Sequence, residues 1–353
     1  MKYASKHEAK KWAMKALGHG GLVATIFTPF DEDGEIHEKD LRSIARYAVE
    51  CKNDAIFCLG NVGEFFSLTL PERKRVLEIV VDEVGDEVVV ISQTAHHCAK
   101  DCIDLCQHAE AVGADLVAII SPYFQAATDQ SVEEWWHYVT DQFDIGCVFY
   151  DSPLSHLVTA QTLGRIALDI PNIVGVKDGR PDQMWCWEAE REANYEIWVS
   201  NPLEDHWPYE MKIMKNPTLC CAWHNYLLQT PDHTPLRDYT DLIMAGKWEE
   251  GLKIYDSMEQ GRQLLNDFFW HNYRRGIYVV GFWKYWMEIK GVVTTHNVRT
   301  PLINMTKEEE EWLEGRLKLL MEGKGPRSKS ELKPYPLQQS NAEEVLTPSL
   351  VAI

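Results

Sequence analysis

A single lysine stands where an apolar run stops, in Ile173-Val174-Gly175-Val176-Lys177-Asp178-Gly179. A short β-branched run between Pro171 and Gly179 reads as a buried strand. Lysine is almost never fully buried unless it is paired, and loss of water favours the neutral amine. Two readings follow for Lys177. It is a structural cation, with Asp178 as its ion-pair partner, or an amine that makes a Schiff base with a carbonyl substrate. Tyr150 closes an earlier apolar run, and a phenol beside an amine can relay protons while a carbinolamine forms and a C–C bond is made or broken. Gly60-Asn61-Val62-Gly63 follows another run and offers backbone N–H groups as a nest for a carboxylate.

These groups need a scaffold that gathers strand ends on one rim. Apolar runs at 21–27, 54–59, 87–92, 115–120, 145–150, 173–177, 195–200 and 218–223 alternate with segments of helical period. Near-continuous apolar strands imply a parallel sheet covered on both faces. Eight such units close a (β/α)8 TIM barrel, whose catalytic groups sit at the C-terminal strand ends. Those ends add Tyr123, Ser200 and His224 to the candidate substrate-binding residues, with His156 shortly after Tyr150. Each histidine reads equally as a pocket base or as a hydrogen-bonded structural residue. Glu64 reads as support for its loop more than as a proton carrier.

Segments 236–245, 248–269, 277–290 and 307–320 are also helical in period, which is more than one closing helix. The expected organisation is an N-terminal helix (1–20), the barrel (21–235), a C-terminal helical appendage (236–322) and an extended tail (323–353). The tail is rich in Gly, Pro, Ser and charge, and its apolar Leu350, Val351 and Ile353 could dock on a neighbouring subunit.

The 353 residues carry a formal net charge of -19, which argues against nucleic-acid or anionic-membrane partners. Nine cysteines without framework spacing predict free thiols in a reducing cytoplasm. Residues 1–17 are Lys-rich without a continuous apolar stretch and predict a short amphipathic helix, not a secretory signal. No apolar stretch is long enough to span a bilayer. His96, His97, Cys98, Cys102, Cys106 and His108 look metal-like, but a stripe eight residues long covers about 12 Å of helix and a tetrahedral site needs convergence. Buried small thiols are the expectation, with no metal and no cofactor. Asp31-Glu32-Asp33-Gly34 is one ligand short of a calcium loop, lacks the later glutamate and reads as a plain turn. Most of the 13 tryptophans, including Trp135, Trp136, Trp185 and Trp187, fall on helices and read as packing.

The strand-end motifs resemble the dihydrodipicolinate synthase / N-acetylneuraminate lyase family of class I, Schiff-base pyruvate aldolases, over roughly residues 21–290. Gly60-Asn61-Val62-Gly63-Glu64 resembles the family's Gly-Thr-Thr-Gly-Glu, Tyr150-Asp151-Ser152-Pro153 its Tyr-Asn-x-Pro, and Ile173–Lys177 its Ile-x-Gly-x-Lys. The resemblance implies that Lys177 forms the imine, Tyr150 relays protons and the loop holds the pyruvate carboxylate. It also implies a homotetramer. The departures matter. Asn61 and Val62 replace both loop hydroxyls, Tyr123-Phe124 lacks the second phenol, and Ser155 stands where dihydrodipicolinate synthases carry an arginine for the incoming amino acid. The expected activity is therefore aldol or retro-aldol chemistry on pyruvate or a derived 2-oxo acid, with an aldehyde or related acceptor as partner. Hydratase–aldolase action on an aromatic or apolar substrate fits. The alternative is dehydration of a keto-deoxy sugar acid, with or without decarboxylation. The rival of another class is a non-catalytic 2-oxo acid binding protein.

Overall fold

The computed structural model describes residues 2–123, 127–180, 182–221, 224–273 and 280–321; Phe124 and the tail 323–353 lie outside them. Eight parallel strands, β1 (Gly21–Thr25), β2 (Ala55–Cys58), β3 (Val89–Gln93), β4 (Leu116–Ile120), β5 (Gly146–Asp151), β6 (Ile173–Asp178), β7 (Trp198–Ser200) and β8 (Thr218–Cys221), lie in the order β7-β6-β5-β4-β3-β2-β1-β8. The two ends of that sheet meet. Val199 bridges Pro217 in parallel, and the Cys220 N–H donates to Ser200 Oγ at 2.6 Å. With helices alternating between the strands, this is the expected (β/α)8 barrel. Every residue of β1 through β7 is buried, as strands covered on both faces must be.

Alternation along each strand divides the core in two. Ile56, Val90, Val117 and Phe149 face outward into the helix layer. Val23, Ala55, Phe57, Ile91, Ala118, Val148 and Trp198 fill the barrel interior. Each valine, isoleucine and phenylalanine among them contributes about 1.5–3 kcal/mol by leaving water. The helix Lys6–Leu17 plugs the N-terminal end, where Ala9, Ala13 and Leu17 join the interior cluster and Thr218 Oγ1 donates to Leu17 O at 2.6 Å. Function is thereby confined to the opposite mouth.

One irregularity decides what reaches that mouth. In the β5–β6 ladder Cys147 pairs with Ile173 but Val148 pairs with Gly175, so β6 carries one extra residue at Val174. Val174 joins the interior cluster although Ile173 and Val176 join the outer one. A bulge of this kind turns two consecutive residues to one side. The alternation restarts at Gly175, and Lys177 points inward. Gly175 has to be glycine, because a Cβ there would lie 2.2 Å from Cε2 of the Trp198 indole.

The C-terminal helices are Pro235–Met244, Trp248–Ser257, Glu259–Tyr273, Val280–Ile289 and Lys307–Met321. Two differ from expectation. Pro235–Met244, grouped by sequence with the appendage, packs Leu236, Tyr239 and Ile243 on Leu22 and Leu219 of β1 and β8, so it belongs to the barrel's outer ring. The single helix expected at 248–269 breaks at Met258, whose buried side chain is taken into that same cluster. Among the described residues no helix is long and apolar enough to cross a membrane.

Gly175→Ala should lower stability by about 3 kcal/mol or more through overpacking. Thermal melting of Gly175→Ala/Trp198→Leu should recover most of the loss, because the second change removes the ring that the new methyl meets.

Candidate active site

Lys177 and Tyr150 are directly opposite one another in the β5–β6 register. Both are buried, and Lys177 Nζ sits 4.3 Å from the centroid of the Tyr150 ring. Asp178, the acid suggested as a partner for Lys177, is not engaged with it. Its side chain points to the helix layer, where it accepts from Cys186 Sγ at 3.0 Å and from the Arg180 N–H at 2.9 Å. Burial pushes Asp178 up to about 7. Asp151, the residue after Tyr150, turns outward in the same way and forms an ion pair with Arg180, whose guanidinium also donates to Val158 O and stacks 4.1 Å over Trp185.

The loop after β2 is tightly turned. Leu59 (φ 60) and Glu64 (φ 54) bracket it in the left-handed region, which costs a non-glycine residue on the order of 1–2 kcal/mol. Gly63 packs on the chain itself, since a Cβ would fall 2.9 Å from Leu59 N. Its carbonyl accepts from Thr28 Oγ1 at 2.8 Å, and the Glu64 N–H closes a turn onto Asn61 O at 3.1 Å. Among the described residues the N–H groups of Asn61, Val62 and Gly63 have no acceptor. The Asn61 Oδ1 is buried and likewise unpaired.

Glu64 holds this loop. Its carboxylate is fully buried, forms an ion pair with fully buried Lys284 of helix Val280–Ile289, and accepts from the Arg299 N–H at 3.1 Å. Lys284 also donates to Asn297 O at 2.7 Å and lies 4.5 Å over the Phe30 ring. Burial pushes the Glu64 carboxyl up and the Lys284 ammonium down to about 8, while their mutual attraction opposes both shifts. The sequence reading missed Lys284. Its signal was a lone cation within the apolar run Val280-Gly281-Phe282-Trp283-Lys284-Tyr285-Trp286.

The other expected residues fall in several places. Ser200 Oγ accepts from Cys220 N and donates to Asn201 O at 3.2 Å, so it secures the barrel seam. His156 Nε2 pairs with Asp129 Oδ1 at 2.7 Å, the hydrogen-bonded structural reading. Burial works against ionisation of Asp129, yet hydrogen bonds from His156, Thr162 and Thr159 hold its carboxyl well below the usual range. Tyr123 bridges Ser155 and, with Phe65, Arg73, His96 and His97, lines a cavity of ≈ 410 Å³ at the rim. His224 opens a short helix, His224–Leu227, and its side chain lies outside the described residues. Cys102 and Cys106 are buried, with Cys106 Sγ 3.1 Å from Thr94 Oγ1. Asp31 Oδ1 accepts from the N–H groups of Asp33 and Glu35, as in an ordinary Asx turn.

Two outcomes test these electrostatics. Lys284→Met and Glu64→Gln each leave a buried group without its partner and should cost about 3–5 kcal/mol; urea denaturation of the double variant should show most of that restored. Asp178 is protonated more readily folded than unfolded, so its contribution is complete below about pH 4 and is lost as pH rises through about 7. The stability of the wild type relative to Asp178→Asn should therefore fall between pH 4 and 8, by at most about 4 kcal/mol.

The dihydrodipicolinate synthetase family model matches residues 19–320. A 4-hydroxy-tetrahydrodipicolinate synthase of Clostridium novyi (strain NT) is 28% identical over 236 residues, which is 66% of this chain and 77% of that protein. One from Brucella abortus biovar 1 (strain 9-941) is 32% identical over 160 residues, 45% of this chain and 55% of that protein. The match to several curated relatives thus spans about half of their length. Among solved structures, YagE, a prophage protein from E. coli K12 in complex with pyruvate, aligns with a TM-score of 0.76 at 20% identity over 86% of this chain and 98% of its own. CdNal from Clostridium difficile in complex with mannosamine aligns at 0.73 with 21% identity, covering 84% and 97%. These two share the barrel. With the family model matching nearly the whole described length, the chain belongs to the dihydrodipicolinate synthetase family.

Proposed function

We propose that this protein is a class I lyase that forms a Schiff base between Lys177 and pyruvate or a pyruvate-derived 2-oxo acid. The observation that carries the reading is the inward Lys177 amine held against the Tyr150 ring at the open end of the barrel. The neutral amine adds to the ketone carbon to give a carbinolamine. The Tyr150 phenol protonates the departing hydroxyl, water leaves, and an iminium remains. For cleavage, the phenolate takes the proton of the hydroxyl on the far side of the scissile bond. That C–C bond breaks to release an aldehyde, and its electron pair is drawn into the iminium to give an enamine. Protonation and hydrolysis then return the amine; condensation is the reverse. The ring face beneath Nζ favours the positive charge that the iminium nitrogen carries. The amides of Asn61, Val62 and Gly63, which have no acceptor among the described residues, support a role in holding the carboxylate.

The second substrate is not the amino acid aldehyde of lysine biosynthesis, in this reading, because Ser155 replaces the arginine that would bind it. An aromatic or apolar acceptor and a keto-deoxy sugar acid are the two candidate partners. Eight of the nine cysteines are free thiols, which supports a reducing cytoplasm. A homotetramer is the assembly that the family resemblance suggests.

Borohydride added with pyruvate should leave a stable mass on Lys177, and Lys177→Ala should abolish it. Tyr150→Phe should retain the adduct while turnover falls by about 10²–10⁴. Absence of an adduct in the wild type across a panel of 2-oxo acids, with ligand-induced thermal stabilisation, would instead favour the non-catalytic binding protein.

A further inference from the structure

Three buried polar groups in the barrel interior lack partners among the described residues: both polar atoms of the Gln93 carboxamide, Thr25 Oγ1 and Trp198 Nε1. Native proteins pair nearly all such groups, so each one calls for a reason. Their placement supplies one. Gln93 is the last residue of β3. Ser92 before it hydrogen-bonds to Cys58 of the outer cluster, and Thr94 after it meets Cys106 in the helix layer at 3.1 Å. Gln93 therefore points inward above Ile91, its backbone fixed where Arg73 donates to its carbonyl at 2.8 Å. Thr25 ends β1 above inward-facing Val23, with its methyl 3.3 Å from where a Cβ on Gly60 would lie, at the start of the loop after β2. The Trp198 indole lies flat on Gly175, two residues below Lys177, and the atom nearest the Gly175 position is Cε2, which is bonded to Nε1.

All three side chains thus point into the barrel interior, toward which Lys177 also points, on strands other than the ones that carry the amine and phenol. A carboxamide offers a donor and an acceptor, the hydroxyl offers both, and the indole only donates. Apolar substrate atoms would leave all of them unpaired. A carbon chain that bears hydroxyls satisfies them. Resting on the Schiff-base reading above, we infer that Gln93, with Thr25 and Trp198, determines specificity by hydrogen-bonding the hydroxyls of a polyhydroxylated 2-oxo acid. This separates the two candidate partners in favour of the hydroxylated one. A site built to pair with hydroxyls rejects analogues without them far more strongly than an apolar pocket rejects an extra hydroxyl.

The test compares borohydride trapping at Lys177 by a 3-deoxy-2-oxo sugar acid and by 2-oxobutyrate, which has no hydroxyl. The wild type should trap the sugar acid preferentially. Gln93→Met keeps the volume and removes both polar atoms, so the ratio of trapping efficiencies should fall at least tenfold while the melting temperature holds or rises. An unchanged ratio overturns the inference, as does a fall in melting temperature with the ratio retained, which would mark the carboxamide as paired to structural water. Should Gln93→Met fail to fold, Thr25→Val is read by the same ratio with the same two outcomes. If the wild type traps neither acid, the imine reading fails by itself. Thermal shift then decides the inference: stabilisation of the wild type by the sugar acid that is lost in the variant supports it, and equal shifts overturn it.

Discussion

The constraint on which the candidate site depends is the parity of β6. Side chains alternate along a strand, so an unbroken register from inward Val174 would send Val176 into the barrel and Lys177 into the helix layer. The extra residue at Val174 reverses that order. The reversal is stable because Gly175 lets the Trp198 indole lie against the backbone at the bulge. Everything else at the mouth follows from it. Tyr150 can meet Lys177 only because both face inward, and Asp151 and Asp178 meet Arg180 only because both face out.

A second dependence ties the loop after β2 to the C-terminal part of the chain. Two residues in left-handed conformation bracket Gly60–Gly63, and such strain persists only where surroundings fix it. Thr28 from the first strand–helix connection holds the Gly63 carbonyl, while Lys284 and the Arg299 N–H hold the Glu64 carboxylate. The helix Val280–Ile289 therefore acts as a clamp on the mouth, in addition to covering apolar surface. A buried ion pair contributes little net stability against an apolar replacement. Its value here is geometric, since it fixes one conformation of the loop after β2.

The barrel and its rim were legible because both depend on strong local patterns. Eight apolar runs alternating with helical segments leave few other architectures, and strand ends in a barrel share one rim. What was not legible depends on contacts distant in sequence or on single-residue irregularities. The Lys177–Asp178 ion pair was a reasonable suggestion from adjacency, but alternation separates the two side chains. Gln93 fell outside the expected third strand, which stopped at Ser92, so its inward direction could not be considered. Lys284 is separated from Glu64 by 220 positions in the chain, and no local pattern links them. Ser200, expected to meet substrate, is occupied at the β7–β8 seam, a closure that becomes visible only once the barrel is assembled.

On the proposed reading, the second half of the substrate is recognised without an arginine at position 155. Arg180 is the arginine at the end of β6 and the natural replacement for the residue lost at Ser155. It is already committed to Asp151, to Val158 O and to the face of Trp185, and Asp178 lies 3.8 Å away. Two carboxylates against one guanidinium leave that corner with no spare positive charge. Recruiting Arg180 to a substrate carboxylate would strand Asp151, which is fully buried, without its partner. Anionic recognition of the second substrate by Arg180 is therefore disfavoured. On the Schiff-base reading, neutral hydrogen-bonding groups facing the interior, rather than Arg180, are the groups proposed to distinguish one acceptor from another.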